Sequence, residues 1–183
     1  MESLKGHFLI ATPKMPDPRF AERVIYICAH NEEGAMGLII NEPLVNLSLA
    51  DILAGADLPI PQKPLPSLYL GGPVETSSFF FLCSSEYEPQ TYLDVSNTVR
   101  LSRDPEILKT LSRDEGPEYV IPALGYSGWA PGQLENELAT NGWLTFPAED
   151  EVIFNTPDSQ KWKMAAKRYG IDISLFDDVA GRA

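Results

Sequence analysis

Nine short runs rich in β-branched and aromatic residues, unevenly interleaved with fewer helical patterns, constrain this chain more than any other feature. The runs are His7 to Ala11, Arg23 to His30, Ala35 to Asn41, Ser67 to Leu70, Ser78 to Ser84, Val99 to Leu101, Tyr119 to Tyr126, Trp143 to Phe146 and Val152 to Phe154, compositions that suit strands. Between the second and third lies Asn31-Glu32-Glu33-Gly34, a four-residue connection ending in glycine, which predicts an antiparallel hairpin. Helical patterns fall at Ser48 to Ala54, with Ser48 as N-cap, and at Asp104 to Arg113, with Pro105 early and Ile107, Leu108 and Leu111 on the buried face. Two more run from Pro131 to Thr140, opened by its proline, and from Asp158 to Tyr169, closed by Gly170. Regular βαβ alternation is absent, so the predicted class is α+β with a mostly antiparallel sheet in one domain.

Sixteen prolines in 183 residues, with Pro59, Pro61, Pro64, Pro66 and Pro73 close together, mark an irregular surface crossing before the strand runs resume. The chain carries 26 acidic and 14 basic side chains for a net charge of −12, a field that repels phosphate backbones and anionic lipid alike. Direct nucleic-acid binding and membrane association are therefore not expected. Only Cys28, Cys83, His7 and His30 are available as soft ligands, too few for a disulfide framework or a zinc pattern, and the simpler setting is reducing and cytoplasmic. No metal and no cofactor is expected. The apolar run Phe8 to Ala11 is too short for a signal peptide, and no stretch of 18 apolar residues occurs.

Three glycine-bearing motifs, Gly34-Ala35-Met36-Gly37-Leu38-Ile39-Ile40-Asn41, Gly71-Gly72-Pro73-Val74 and Gly125-Tyr126-Ser127-Gly128-Trp129-Ala130-Pro131-Gly132-Gln133-Leu134-Glu135, occur in that order. With Gly6-His7-Phe8-Leu9-Ile10-Ala11-Thr12-Pro13, the Tyr26-x-Cys28-x-His30 strand and Asn141-x-Trp143, the chain resembles the YqgE/AlgH family over nearly its whole length. The resemblance implies a branched sheet curled into an incomplete barrel with helices outside. It also implies a bacterial cytoplasmic protein of unsettled role, often labelled a transcriptional regulator, with no catalytic residues to carry over.

Five constellations are candidates for chemistry or binding. Cys28 and His30 sit two apart on one strand, about 6.6 Å if the alternation is regular, where an imidazolium would favour a reactive thiolate. The same run, apolar on both faces, equally allows Cys28 to be core. Gly125-Tyr126-Ser127-Gly128-Trp129 stands between a strand and a helix like a nucleophile elbow, but Trp129 occupies the place of the last glycine and both histidines precede the serine. Gln133 and Glu137, four apart on one helix face, and Glu135 are polar anchors or solvated residues. Gly71-Gly72-Pro73 offers an anion nest or a bare turn. Lys161, Lys163, Lys167 and Arg168 give the last helix a cationic side, flanked by Asp158, Asp172, Asp177 and Asp178 and without a helix-turn-helix partner.

The glycine-aromatic surface is the preferred site of a non-enzymatic binding or regulatory domain that contacts an unknown protein or small molecule. Gly125, Tyr126, Gly128, Trp129, Gly132, Gln133, Glu137, Asn141 and Trp143, with Gly71 and Gly72, compose it. At least one of its aromatic rings is expected to be partly exposed beside a concavity. The rival reading is a thiol-dependent enzyme or redox sensor centred on Cys28 with His30.

Overall fold

The computed structural model describes residues 2–140 and 142–175; Asn141, Asp177 and Asp178 lie outside the described residues. In chain order the elements are β1 (His7–Ala11), β2 (Val24–Asn31), β3 (Gly34–Ile39), α1 (Leu49–Gly55), β4 (Tyr69–Leu70), β5 (Val74–Ser84), β6 (Leu93–Asp94) and β7 (Val99–Ser102). They continue with α2 (Glu106–Ser112), β8 (Val120–Trp129), α3 (Gln133–Ala139), β9 (Trp143–Pro147) and α4 (Asp158–Lys167). The strands form one sheet in the order β6-β7-β5-β8-β3-β2-β1-β9, antiparallel throughout, and β4 joins β8 in parallel as a branch. The sheet curls into a half-barrel, an α+β architecture.

Both faces of this sheet are covered, which is why so many strand runs are apolar at successive positions rather than alternating with polar ones. Phe8, Ile10, Val24, Tyr26, Leu38, Phe80 and Leu82 point into the concave core, where Trp162, Ala165 and Ala166 of α4 close over them. Leu9, Ala11, Ile25, Ile27 and Ile39 point the other way, against Leu134 of α3 and the rings of Trp129 and Trp143. A third cluster joins Phe81 and Cys83 of β5 to Leu49 of α1 and Ile107 and Leu111 of α2. Each fully buried Val, Leu, Ile or Phe side chain among these contributes roughly 1.5–3 kcal/mol of transfer free energy.

Several local expectations are met. Ser48 caps α1 in a reciprocal box with Asp51, and β2 and β3 form the hairpin, with a tighter turn than the four-residue connection read above because Asn31 and Gly34 already pair. Others need correction. Val152 to Phe154 lies in a π-helical turn, Glu151–Asn155, with Val152 and Ile153 buried; three apolar residues are too few to distinguish strand from helix by period. Pro131 does not open α3, which begins at Gln133 after Gly132 adopts a left-handed cap (φ 73°). β6 was not legible, being two exposed residues long.

The cationic side of α4 is also smaller than the sequence suggests. Lys161 is only 2% exposed; its Nζ donates to the Ile40 carbonyl at 2.7 Å and pairs with Asp158 at 2.9 Å. The Tyr69 hydroxyl donates to the same carboxylate. Burial pushes the Lys161 ammonium below the ordinary lysine range, against the pull of Asp158. Arg168 is exposed but its charge is met by Glu149 at 2.8 Å, and Lys163 and Lys167 are exposed as well.

Candidate functional site

A β-bulge decides the fate of the Cys28–His30 pair. Between the Ile27–Gly37 and Ala29–Met36 pairs of the β2–β3 ladder the register shifts, leaving Cys28 as the extra residue and reversing the alternation beyond it. Cys28 stays on the concave face with Tyr26 and Val24. His30 pairs with Ala35 on the face covered by α3, where its Nε2 lies 2.7 Å from Glu135 Oε1. Cys28 and His30 therefore do not share a face, contrary to the spacing argument.

The imidazole is fully engaged. The Leu4 backbone N–H donates to His30 Nδ1 at 2.9 Å, which leaves Nε2 to carry the ring proton toward Glu135. The backbone N–H of Glu135 itself, and after it the His30 ring, hold that carboxyl below its usual range. Cys28 has no solvent exposure, and burial pushes its thiol well above the ordinary range; Cys83, packed beneath α1 and α2, is pushed up to about 12. Neither environment generates a thiolate. Both cysteines are expected to react with Ellman's reagent only as fast as the protein unfolds; prompt stoichiometric labelling of Cys28 in native protein would overturn this assignment.

The glycine-aromatic surface divides into three parts. One is a clamp at the start of α3. Trp129 and Trp143 are 7% and 3% exposed, their rings meet edge to face at 6.5 Å, and both indole N–H groups donate to Glu137 Oε2, at 3.0 and 2.9 Å. Gln133 Nε2 donates to the other oxygen at 2.9 Å, while its own carbonyl oxygen accepts from the Ala130 N–H. Gln133 and Glu137 thus anchor these tryptophans internally.

The second part is a backbone crossing. The chain leaves β4 on one edge of β8 and reaches β5 on the other, passing over β8 at Gly71-Gly72. A Cβ on Gly71 would strike the Gly125 carbonyl oxygen, one on Gly125 the Gly72 carbonyl oxygen, and one on Gly72 the Tyr126 backbone. The Gly71 carbonyl accepts from Ile39 N–H and from the buried Ser127 hydroxyl. Gly71 and Gly72 are buried, so they form a packed crossing instead of an anion nest, and Ser127 sits within a strand, not at an elbow.

The third part is open. Tyr126 is half-buried and Gly128 exposed, and both line a shallow depression of about 620 Å³ with Ala35, Met36, Val74, Glu75, Phe80, Arg103 and Trp129. Phe80 meets Tyr126 edge to face at 5.5 Å. Met36 and Tyr126 pack on the concave core to which Phe80 belongs, so the depression brings that core to the surface. The Tyr126 ring lies over the bare backbone of Gly128: a Cβ there would stand 3.1 Å from the ring, tighter than an ordinary contact, so the absence of a side chain is what admits the ring. Sequence reasoning missed Met36, Phe80, Glu75 and Arg103. Phe80 was readable in principle, since strand alternation sets it on the opposite face from Phe79 and Phe81.

Among the described residues no cluster of three or more His, Cys, Asp or Glu side chains has metal-binding geometry, and no helix is long and apolar enough to cross a membrane. The fold defines a class, an α+β half-barrel with a branched sheet. The chain belongs to the AlgH-like family, whose profile matches residues 8–174. It is 43% identical over 181 residues to a UPF0301 protein of Desulfotalea psychrophila, covering 99% of this chain and 95% of that protein. A UPF0301 protein of Thioalkalivibrio sulfidiphilus is 44% identical over 179 residues, covering 97% and 96%. The solution structure of the AlgH protein from Pseudomonas aeruginosa superposes with a TM-score of 0.78 at 41% identity, covering 99% of this chain and 96% of that one. A crystal structure of a Corynebacterium diphtheriae protein shares the fold, with a TM-score of 0.75 at 23% identity over 96% and 92% of the two chains.

Proposed function

We propose that this protein is a non-enzymatic recognition domain, acting through protein or small-ligand contacts at the depression around Tyr126 and Gly128. One observation carries the reading: a half-buried tyrosine over a bare glycine at the rim of a concavity continuous with the core, the combination of rigid apolar surface and open space that binding sites use. The burial of Cys28 and its separation from His30 favour this reading over a thiol enzyme. The shortened cationic side of α4 and the net charge of −12 favour it over direct contact with DNA.

The test is affinity capture from a cell extract with the wild-type protein and with Gly128→Leu, which fills the depression from an exposed position. A partner held by the wild type should be lost with Gly128→Leu, whose side chain displaces the Tyr126 ring, and with Tyr126→Ala, both variants keeping the far-UV circular dichroism of the folded protein. Capture unaffected by Gly128→Leu and by Tyr126→Ala would place recognition elsewhere and sink the proposal.

A further inference from the structure

The chemistry of the depression is uneven, and that unevenness identifies a ligand class. Its floor and walls are apolar: Met36, Val74, Phe80, Tyr126 and the bare backbone of Gly128. One cation reaches it. The Arg103 guanidinium lies 4.8 Å above the centre of the Phe80 ring, close enough for cation–π attraction to hold the plane in place.

Its only ion-pair partner among the described residues is Glu75, at 3.6 Å, with both side chains at least half exposed (58% and 50%). An exposed pair this long contributes little to stability. Exchanging Glu75 for another anion therefore costs little, whereas a guanidinium already fixed by a ring is a preorganised fork for a carboxylate or phosphate.

Resting on the reading of this depression as a binding site, we infer that it takes a small molecule with one flat apolar group and one carboxylate or phosphate. The apolar group lies against Tyr126 and Gly128, and the anion displaces Glu75 from Arg103. Glu75 is an internal competitor for the site. The net charge of −12 opposes polyanions at long range but is screened within about 8–10 Å at physiological salt, so a ligand with a single anionic group at contact distance suits the site.

Four probes that share a phenyl ring and differ in the head group separate the possibilities: phenylacetate, phenyl phosphate, benzyl alcohol and benzylamine, titrated while NMR follows the Met36 methyl, the Tyr126 ring and the Arg103 Nε–H. The anionic probes should bind about tenfold more tightly than benzyl alcohol and move all three signals, as one charge-assisted fork would require. Arg103→Gln should abolish that preference, and Glu75→Gln should strengthen anion binding about threefold. The comparison of phenylacetate with phenyl phosphate tells which anion fits. Equal binding of the neutral or cationic probe, or an unchanged preference in Arg103→Gln, overturns the inference and leaves the depression as an apolar site. If none of the four moves the Met36 or Tyr126 signals, the inference falls, and the reading of the depression as a small-ligand site falls with it.

Discussion

Replacing Glu137 with leucine is expected to lower the free energy of unfolding by about 3–4 kcal/mol. The carboxylate accepts from both indole N–H groups and from Gln133, and leucine can accept none of them. Two largely buried donors, on Trp129 and Trp143, then lose a charged acceptor with little water to replace it, and hydrogen bonds to charged groups contribute roughly 1.5–3 kcal/mol each without full additivity. Glu137→Gln keeps one oxygen for the indoles and should recover part of the loss. Urea unfolding followed by tryptophan fluorescence measures both. A leucine variant within 1 kcal/mol of wild type would show that ring packing alone holds the corner.

The second large effect concerns the crossing over β8. Gly72→Ala should cost about 4 kcal/mol or more, or abolish soluble protein, because the new methyl meets the carbonyl and backbone of Tyr126, which cannot rotate away as a side chain can. Gly132 offers the internal contrast. It too has a positive φ, but nothing lies within 4 Å of the position a Cβ would take, so Gly132→Ala should cost only about 1 kcal/mol of backbone strain. Thermal melts of the two variants compare the terms directly. Equal, small losses would mean that the two chain segments can separate without penalty.

What the sequence conveys about this fold follows from which forces are local. The β2–β3 hairpin and the Ser48 cap are legible because a few neighbouring residues determine them. The bulge at Cys28 is not, since nothing in Tyr26-Ile27-Cys28-Ala29-His30 announces an extra residue; it follows from fitting β2 to a β3 that must also meet β8. The candidate surface was legible as a set of residue types and not as an arrangement. Glycines and aromatic rings serve close backbone crossings, internal clamps and open sites equally well. Only the folded arrangement, and no pattern in the residue types, assigns Gly72, Trp129 and Gly128 to those three roles in turn.

The ladder between β1 and β9 joins residues 7–11 to residues 143–147, and this has a consequence during synthesis. β1 can pair with β2 soon after both leave the ribosome, yet its other edge must wait for β9. So must the Ala11 carbonyl, which accepts from the Trp162 indole. At about 5–20 residues per second the delay is on the order of 7–27 s. Throughout that interval Phe8-Leu9-Ile10-Ala11, four residues buried in the finished protein, sits on an unpaired strand edge open to other nascent chains. A chaperone that shields short apolar strands is therefore most useful to this chain early, before residue 147 is made.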